Sequence, residues 1–112
     1  MPLTHTSDEA INRTAALLGR YVPGEALGAV EHDTISRAID NVLAETQKIL
    51  VVDREQIPNT YFETLCRLFA IASAADFSNA PREMAVVLEH EQRLRYLVAQ
   101  SPTYEVLAVN YF

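Results

Sequence analysis

Few side chains in this chain carry chemistry, and they are scattered. His5 falls in the polar start, His32 near a helix start and His90 in a mostly polar stretch. Histidine holds a metal on a helix at i, i+4 spacing or beside a carboxylate partner. Only His90 has carboxylates next to it, and Glu89 and Glu91 project from different faces. Cys66 is the single cysteine, which excludes an internal disulfide and any multi-cysteine zinc site. It lies beside an apolar helical stripe with no Cys or His within sequence range, so it reads as a buried, inert thiol. Asp53-Arg54-Glu55 offers two carboxylates of the kind used in acid–base work, yet no Ser or His motif accompanies them. The triplet reads as an exposed charged loop. The three glycines make no phosphate-binding pattern. Glu89, Glu91, Arg93 and Arg95 read as a solvated helical face with local ion pairs. The expectation is no catalytic residue, no metal and no cofactor, hence no enzyme.

Helices must position these residues. Thr6 can cap a helix with Glu9 completing a capping box, and Asp8 and Glu9 suit the positive helix end. Ile11, Ala15 and Leu18 make its apolar stripe, and Gly19 stops it ahead of the Tyr21-Val22-Pro23-Gly24 turn. Leu27 anchors the following loop. From about Ala29 a long helix carries Ile35, Ile39, Val42, Leu43, Thr46, Ile49 and Leu50 on one face, with Arg37, Asp40, Glu45 and Lys48 opposite. The β-branched run Ile49–Val52 is alternatively extended. Pro58 biases Ile57 away from helix and opens a third helix itself. That helix carries Tyr61, Phe62, Leu65, Leu68, Phe69 and Ala72 to about Asp76, and its alanines allow close helix approach. Asn79 is the expected N-cap of a fourth helix, whose stripe is Met84, Val87, Leu88, Glu91, Leu94 and Val98. Glu91 interrupts that stripe, so its carboxylate either snorkels outward or meets an Arg.

The chain has 112 residues, one domain's worth, with 49% apolar and 21% charged residues, which is ordinary globular usage. Fifteen acids against nine bases leave a formal charge of −6, too acidic for a basic nucleic-acid grip. No apolar run reaches membrane-span length, and the polar start is no signal peptide. Composition therefore predicts a soluble, acidic, intracellular domain. After Ser101-Pro102 the helical stripes give way to strand formers, and Tyr104, Val106, Leu107, Val109, Tyr111 and Phe112 make the end apolar. This segment either tucks back along its own helices or docks on another subunit by strand addition or pocket insertion. The overall expectation is all-α: a small four-helix bundle over residues 1–100, with an extended C-terminal arm over 101–112.

The order of motifs points further. Leu17-Leu18-Gly19 ends a short helix, and Pro23-Gly24-Glu25-Ala26-Leu27 follows in a loop. A long helix then contains Ala38-Ile39-Asp40-Asn41-Val42-Leu43-Ala44-Glu45. Ile57-Pro58-Asn59-Thr60-Tyr61 opens an Ala-rich helix, and the last helix starts after Ser78-Asn79-Ala80-Pro81. Over roughly residues 8 to 98 this order resembles the head-completion proteins of tailed bacteriophages, also called connector, head–tail adaptor or packaged-DNA stabilisation proteins. In place of that family's commoner aromatic-and-glycine turn after the long helix, the chain has Thr46-Gln47-Lys48-Ile49-Leu50.

The resemblance implies a subunit of a homo-oligomeric (twelvefold) ring in the virion neck, reached from the host cytoplasm during assembly. Its partners would be the portal protein, further copies of itself, and the tail or next neck protein. Packaged DNA would pass through without sequence-specific binding, and no membrane is involved. Tyr104, Val106, Leu107, Val109, Tyr111 and Phe112 would form the portal-binding arm. Asp53, Arg54 and Glu55 would be a channel-facing or inter-subunit loop. Acidity suits a conduit wall along which DNA must slide. The alternative from another class is a small cytosolic regulatory module, antitoxin- or adaptor-like, binding one protein partner.

Overall fold

A computed structural model describes residues 3–20 and 24–100. The chain is mostly helical, with four helices and a tiny two-stranded sheet among the described residues. The elements are β1 (Thr4–His5), α1 (Ser7–Leu17), α2 (Ala29–Glu45), a 3-10 turn (Thr46–Lys48), β2 (Ile57–Pro58), α3 (Asn59–Ser78) and α4 (Met84–Gln100). Residues 101–112, on which the arm expectation falls, lie outside the described residues.

α1 begins as its sequence requires. The Thr6 hydroxyl accepts from the Glu9 N–H, and one Glu9 carboxylate oxygen accepts from the Thr6 N–H, closing the capping box. The helix ends in a Schellman motif at Gly19 (φ +72°). The Gly19 N–H donates to the Ala16 carbonyl and the Arg20 N–H to the Ala15 carbonyl. α3 ends the same way, with Asn79 in the left-handed position (φ 53°) and the Ala80 N–H donating to the Ala75 carbonyl. This corrects the expectation for Asn79. It terminates α3 rather than capping the fourth helix, because Asn tolerates the left-handed conformation almost as Gly does. The two ends are neighbours in space, since the Arg20 guanidinium lies 3.9 Å from the centre of the Phe77 ring.

α3 is the central helix: α1, α2 and α4 all pack on it, and α1 also packs on α2. Its Leu65, Cys66, Phe69 and Ala72 are fully buried, against Ala10, Ile11 and Ala15 of α1 and Ile35, Ala38 and Ile39 of α2. The small residues Ala10, Ala15, Ala38 and Ala72 let these helices approach closely, and burial of the large ones supplies most of the cohesion, ~1.5–3 kcal/mol for each large apolar side chain. Leu27 packs against this core, as its loop position suggested.

Three other expectations change. α2 stops at Glu45, and a 3-10 turn takes over in which the buried Thr46 hydroxyl donates to the Val42 carbonyl at 3.0 Å. A side chain that bonds the preceding turn bends a helix here rather than prolonging it. Ile49 and Leu50 therefore reach the core from irregular chain, with no strand at Ile49–Val52. Pro58 ends β2 in an extended conformation (ψ 138°) and precedes the helix instead of opening it.

The fourth helix buries Val87, Glu91 and Leu94, while Met84 and Leu88 face outward. Glu91 is thus absent from the solvated face. It neither turns outward nor meets an Arg: the cation beside it is Lys48, 3.6 Å away. Lys48 extends from the 3-10 turn, which the end of α2 places over α4, and only a three-dimensional arrangement supplies that pairing.

Candidate functional site

Three groups of side chains stand out, and the first is a clasp at the foot of α1. Thr4 pairs with Pro58 and His5 with Ile57 across the antiparallel β1–β2 ladder, and the Asn59 N–H donates to the Leu3 carbonyl. The His5 ring stacks on Phe62 with centroids 3.9 Å apart. Its Nδ1 lies 2.9 Å from Glu9 Oε2 and its Nε2 2.8 Å from Asn59 Oδ1. Both partners are acceptor oxygens, so both ring nitrogens donate when the ring carries two protons. The hydrogen bonds to Asn59 and then Glu9 accordingly raise the His5 pKa, and the one to His5 lowers that of Glu9. From its position in the sequence His5 reads as part of a polar tail. Its partners lie as far as fifty-four residues away, and no local signal announces them.

The second group is the Asp53-Arg54-Glu55 loop. It is a turn, with the Gln56 N–H donating to the Asp53 carbonyl and the Glu55 N–H to Asp53 Oδ1. Glu55 accepts from both the N–H and the hydroxyl of Ser7, at 3.2 and 2.6 Å, so it caps α1 from across the fold. Those two bonds hold the Glu55 carboxyl below its ordinary range. Arg54 donates to Asp40 Oδ1 at 2.6 Å and to Ser36 Oγ at 3.0 Å, both on α2. The loop is thus stapled to α1 and α2, which leaves Asp53 as its outward carboxylate.

No protein-family model, no curated protein and no solved structure matches this chain. Its function must therefore be read from its own surfaces.

The third group is the outer face of α4. Met84 and Leu88, 57% and 53% exposed, lie one turn apart on one side of the helix, and Tyr96, 54% exposed, is turned roughly 80° further round it. Arg93 lies over the Tyr96 ring at 5.2 Å. Facing α3 on another side of α4 is a shallow groove of about 600 Å³ lined by Thr60, Glu63, Thr64, Arg67, Glu89, His90, Arg93 and Leu97. Its charges are mixed, and Glu63 is already held by Arg13 at 2.6 Å and approached by Arg67 at 3.5 Å. Among the described residues no three His, Cys, Asp or Glu side chains are grouped to hold a metal, and no helix is long and apolar enough to cross a membrane.

Cys66 is fully buried between α1 and α3, and burial, with Glu63's charge adding, pushes its pKa up to about 12. A thiol so protonated at neutral pH is no nucleophile. The structure therefore ties Glu55 to α1 and Arg54 to α2 and leaves Asp53 facing outward, while the six apolar residues expected in the arm, Tyr104 to Phe112, lie outside the described residues. Sequence reasoning did not anticipate the His5 clasp or the outward turn of Met84 and Leu88 on α4.

Proposed function

We propose that the chain is a structural, non-catalytic virion protein, the subunit of a head–tail connector ring. The ring docks under the portal, extends the DNA channel, retains the packaged genome and gives the tail its platform. The observation that carries this reading is the order of elements. A short helix ends at Gly19, a long helix runs from Ala29 and an extended Ile57-Pro58 leads into an Ala-rich central helix, with a last helix after it. That is the order expected from the head-completion family. In this reading the four helices form one bundle, and residues 101–112 leave it as an arm to the portal. Asp53 and its neighbours face the channel, where carboxylates repel the phosphate backbone and let DNA slide.

The reading is tested by co-expressing the chain with the portal protein encoded in the same genome. Ring-shaped densities bound to one end of purified portal assemblies are expected, and removal of residues 101–112 should abolish binding while leaving the helical circular dichroism intact. A small complex of fixed stoichiometry with a non-virion protein, and no association with portal, would instead establish the regulatory-module alternative.

A further inference from the structure

We propose that the groove between α3 and α4 docks an acidic segment of a partner protein, one carboxylate of which is gripped by Arg67 and Arg93. The proposal does not rest on the connector reading, because the groove's own side chains carry it.

α4 packs chiefly on α3, through Val87, Glu91 and Leu94, and its flank bearing Glu89, Arg93 and Leu97 stands beside α3 without closing on it. From the other wall α3 presents Thr60, Thr64 and Arg67, which follow one another at successive turns. The chain as a whole carries a charge of −6, yet here the sign reverses. Both oxygens of Glu63 are taken by Arg13 of α1, at 2.6 and 3.0 Å, so Arg67 reaches Glu63 only at 3.5 Å. Arg93 has no carboxylate within ion-pairing distance among the described residues and lies over the Tyr96 ring instead. Three guanidiniums against the carboxylates of Glu63 and Glu89 leave one positive charge over, which a single added carboxylate neutralises. A phosphate dianion would overshoot.

The groove also holds an unused donor. Thr64 is only 9% exposed, and its hydroxyl has no hydrogen-bond partner among the described residues. A helical threonine ordinarily donates to a carbonyl one turn back, as Thr46 does here. The hydroxyls of Thr14 and Ser73 are unpartnered but sealed in the core, whereas Thr64 lines the groove. Such a group costs stability unless something binds it. Two guanidinium forks and this hydroxyl together make a donor set for one carboxylate. Leu97, the one apolar side chain lining the groove, suits an apolar neighbour of that carboxylate. A shallow groove of about 600 Å³ does not enclose a small acid, but it accommodates a few residues of a chain laid along it.

The test uses the full chain, with a short blocked Gly/Ser peptide carrying one glutamate and one leucine as the probe. Titrated into isotope-labelled protein, this peptide should give saturable shifts at the Arg67 and Arg93 side-chain Nε–H signals, and its glutamine counterpart should give none. Arg67→Gln and Arg93→Gln should each weaken binding roughly tenfold or more. Glu89→Gln should strengthen it by removing a like charge. Thr64→Val should weaken binding while leaving the thermal midpoint unchanged or higher, a combination that a merely structural threonine would not give. Absence of saturable shifts in the groove, or equal shifts with the glutamine peptide, would overturn the proposal. Acetate binding as tightly as the peptide would make the ligand a free acid, and tighter binding of inorganic phosphate would make it a phosphate. Either result refutes the acidic segment. So would groove shifts that grow with protein concentration alone, which would make the occupant a second copy. Portal association is measured independently of all of these.

Discussion

The Ser7 hydroxyl donates to Glu55 at 2.6 Å although forty-eight residues separate them in the chain. Ser7 is the first residue of α1, and its N–H is among the donors a helix leaves without an intrahelical partner. A carboxylate from a distant loop fills that need and meets the positive end of the helix dipole. The same loop holds α2 through Arg54 and Asp40. The loop that reads as a surface feature is thus also a cross-brace.

Glu55→Gln should destabilise the protein at neutral pH and have little effect in acid. A carboxyl whose pKa is depressed on folding contributes stability above its unfolded value near 4.5 and loses it as pH falls through the folded one. Urea midpoints at pH 7 and pH 3 check this, and an equal loss at both would show that the charge is irrelevant.

His5 should give the opposite slope. Its pKa is raised above 6.5, so the clasp contributes fully below that value and weakens as pH rises through the folded pKa. His5→Ala should lower stability most in mildly acidic buffer and remove this pH dependence. Amide exchange at Asn59, whose N–H closes the ladder onto Leu3, reports the clasp directly. Unchanged exchange there between pH 5 and pH 8 would refute the account.

Lys48 and Glu91 should behave asymmetrically. Lys48→Met strips a nearly buried carboxylate of its counter-charge and should cost about 1–2 kcal/mol, the pair lying at the protein's edge rather than deep within it. Glu91→Leu fills the same space with apolar atoms and should be neutral or stabilising. Equal losses in the two variants, measured by denaturant titration, would contradict this.

Asn79→Ala should cost about 1 kcal/mol, the penalty of a Cβ in the left-handed region without the local hydrogen bonding that Asn provides, whereas Asn79→Gly should be tolerated. Thermal unfolding of the two variants separates the backbone effect from side-chain loss.

Cys66 should resist thiol reagents in the folded state at pH 7–8, modified only as fast as the protein opens. Rapid stoichiometric labelling without denaturant would mean that the α1–α3 interface is looser than described.

These cases separate the parts of the fold that are legible in the sequence from those that are not. The capping box of Thr6 and Glu9, the stop at Gly19 and the stripes of α2 and α3 depend on residues within one or two helical turns, so local pattern suffices. Asn79 misleads because Asn suits both ends of a helix, and only the conformation of the chain decides between them. Met84 and Leu88 fit an apolar spacing but turn outward, since the orientation of α4 is set by where Val87 and Leu94 meet α3. His5 and Glu91 are opaque for a different reason: their partners come from other elements, and neither has a local signature. The functional surfaces share that opacity.

The brace between Ser7 and Glu55 also bears on how the chain is made. Ribosomes add ~5–20 residues each second, so α1 emerges several seconds before the carboxylate that completes its first turn. Over that interval the helix has only its own capping box and a narrow apolar stripe, and eleven residues are too few to stay helical alone in water. Nascent α1 is therefore expected to fluctuate until the middle of the chain arrives.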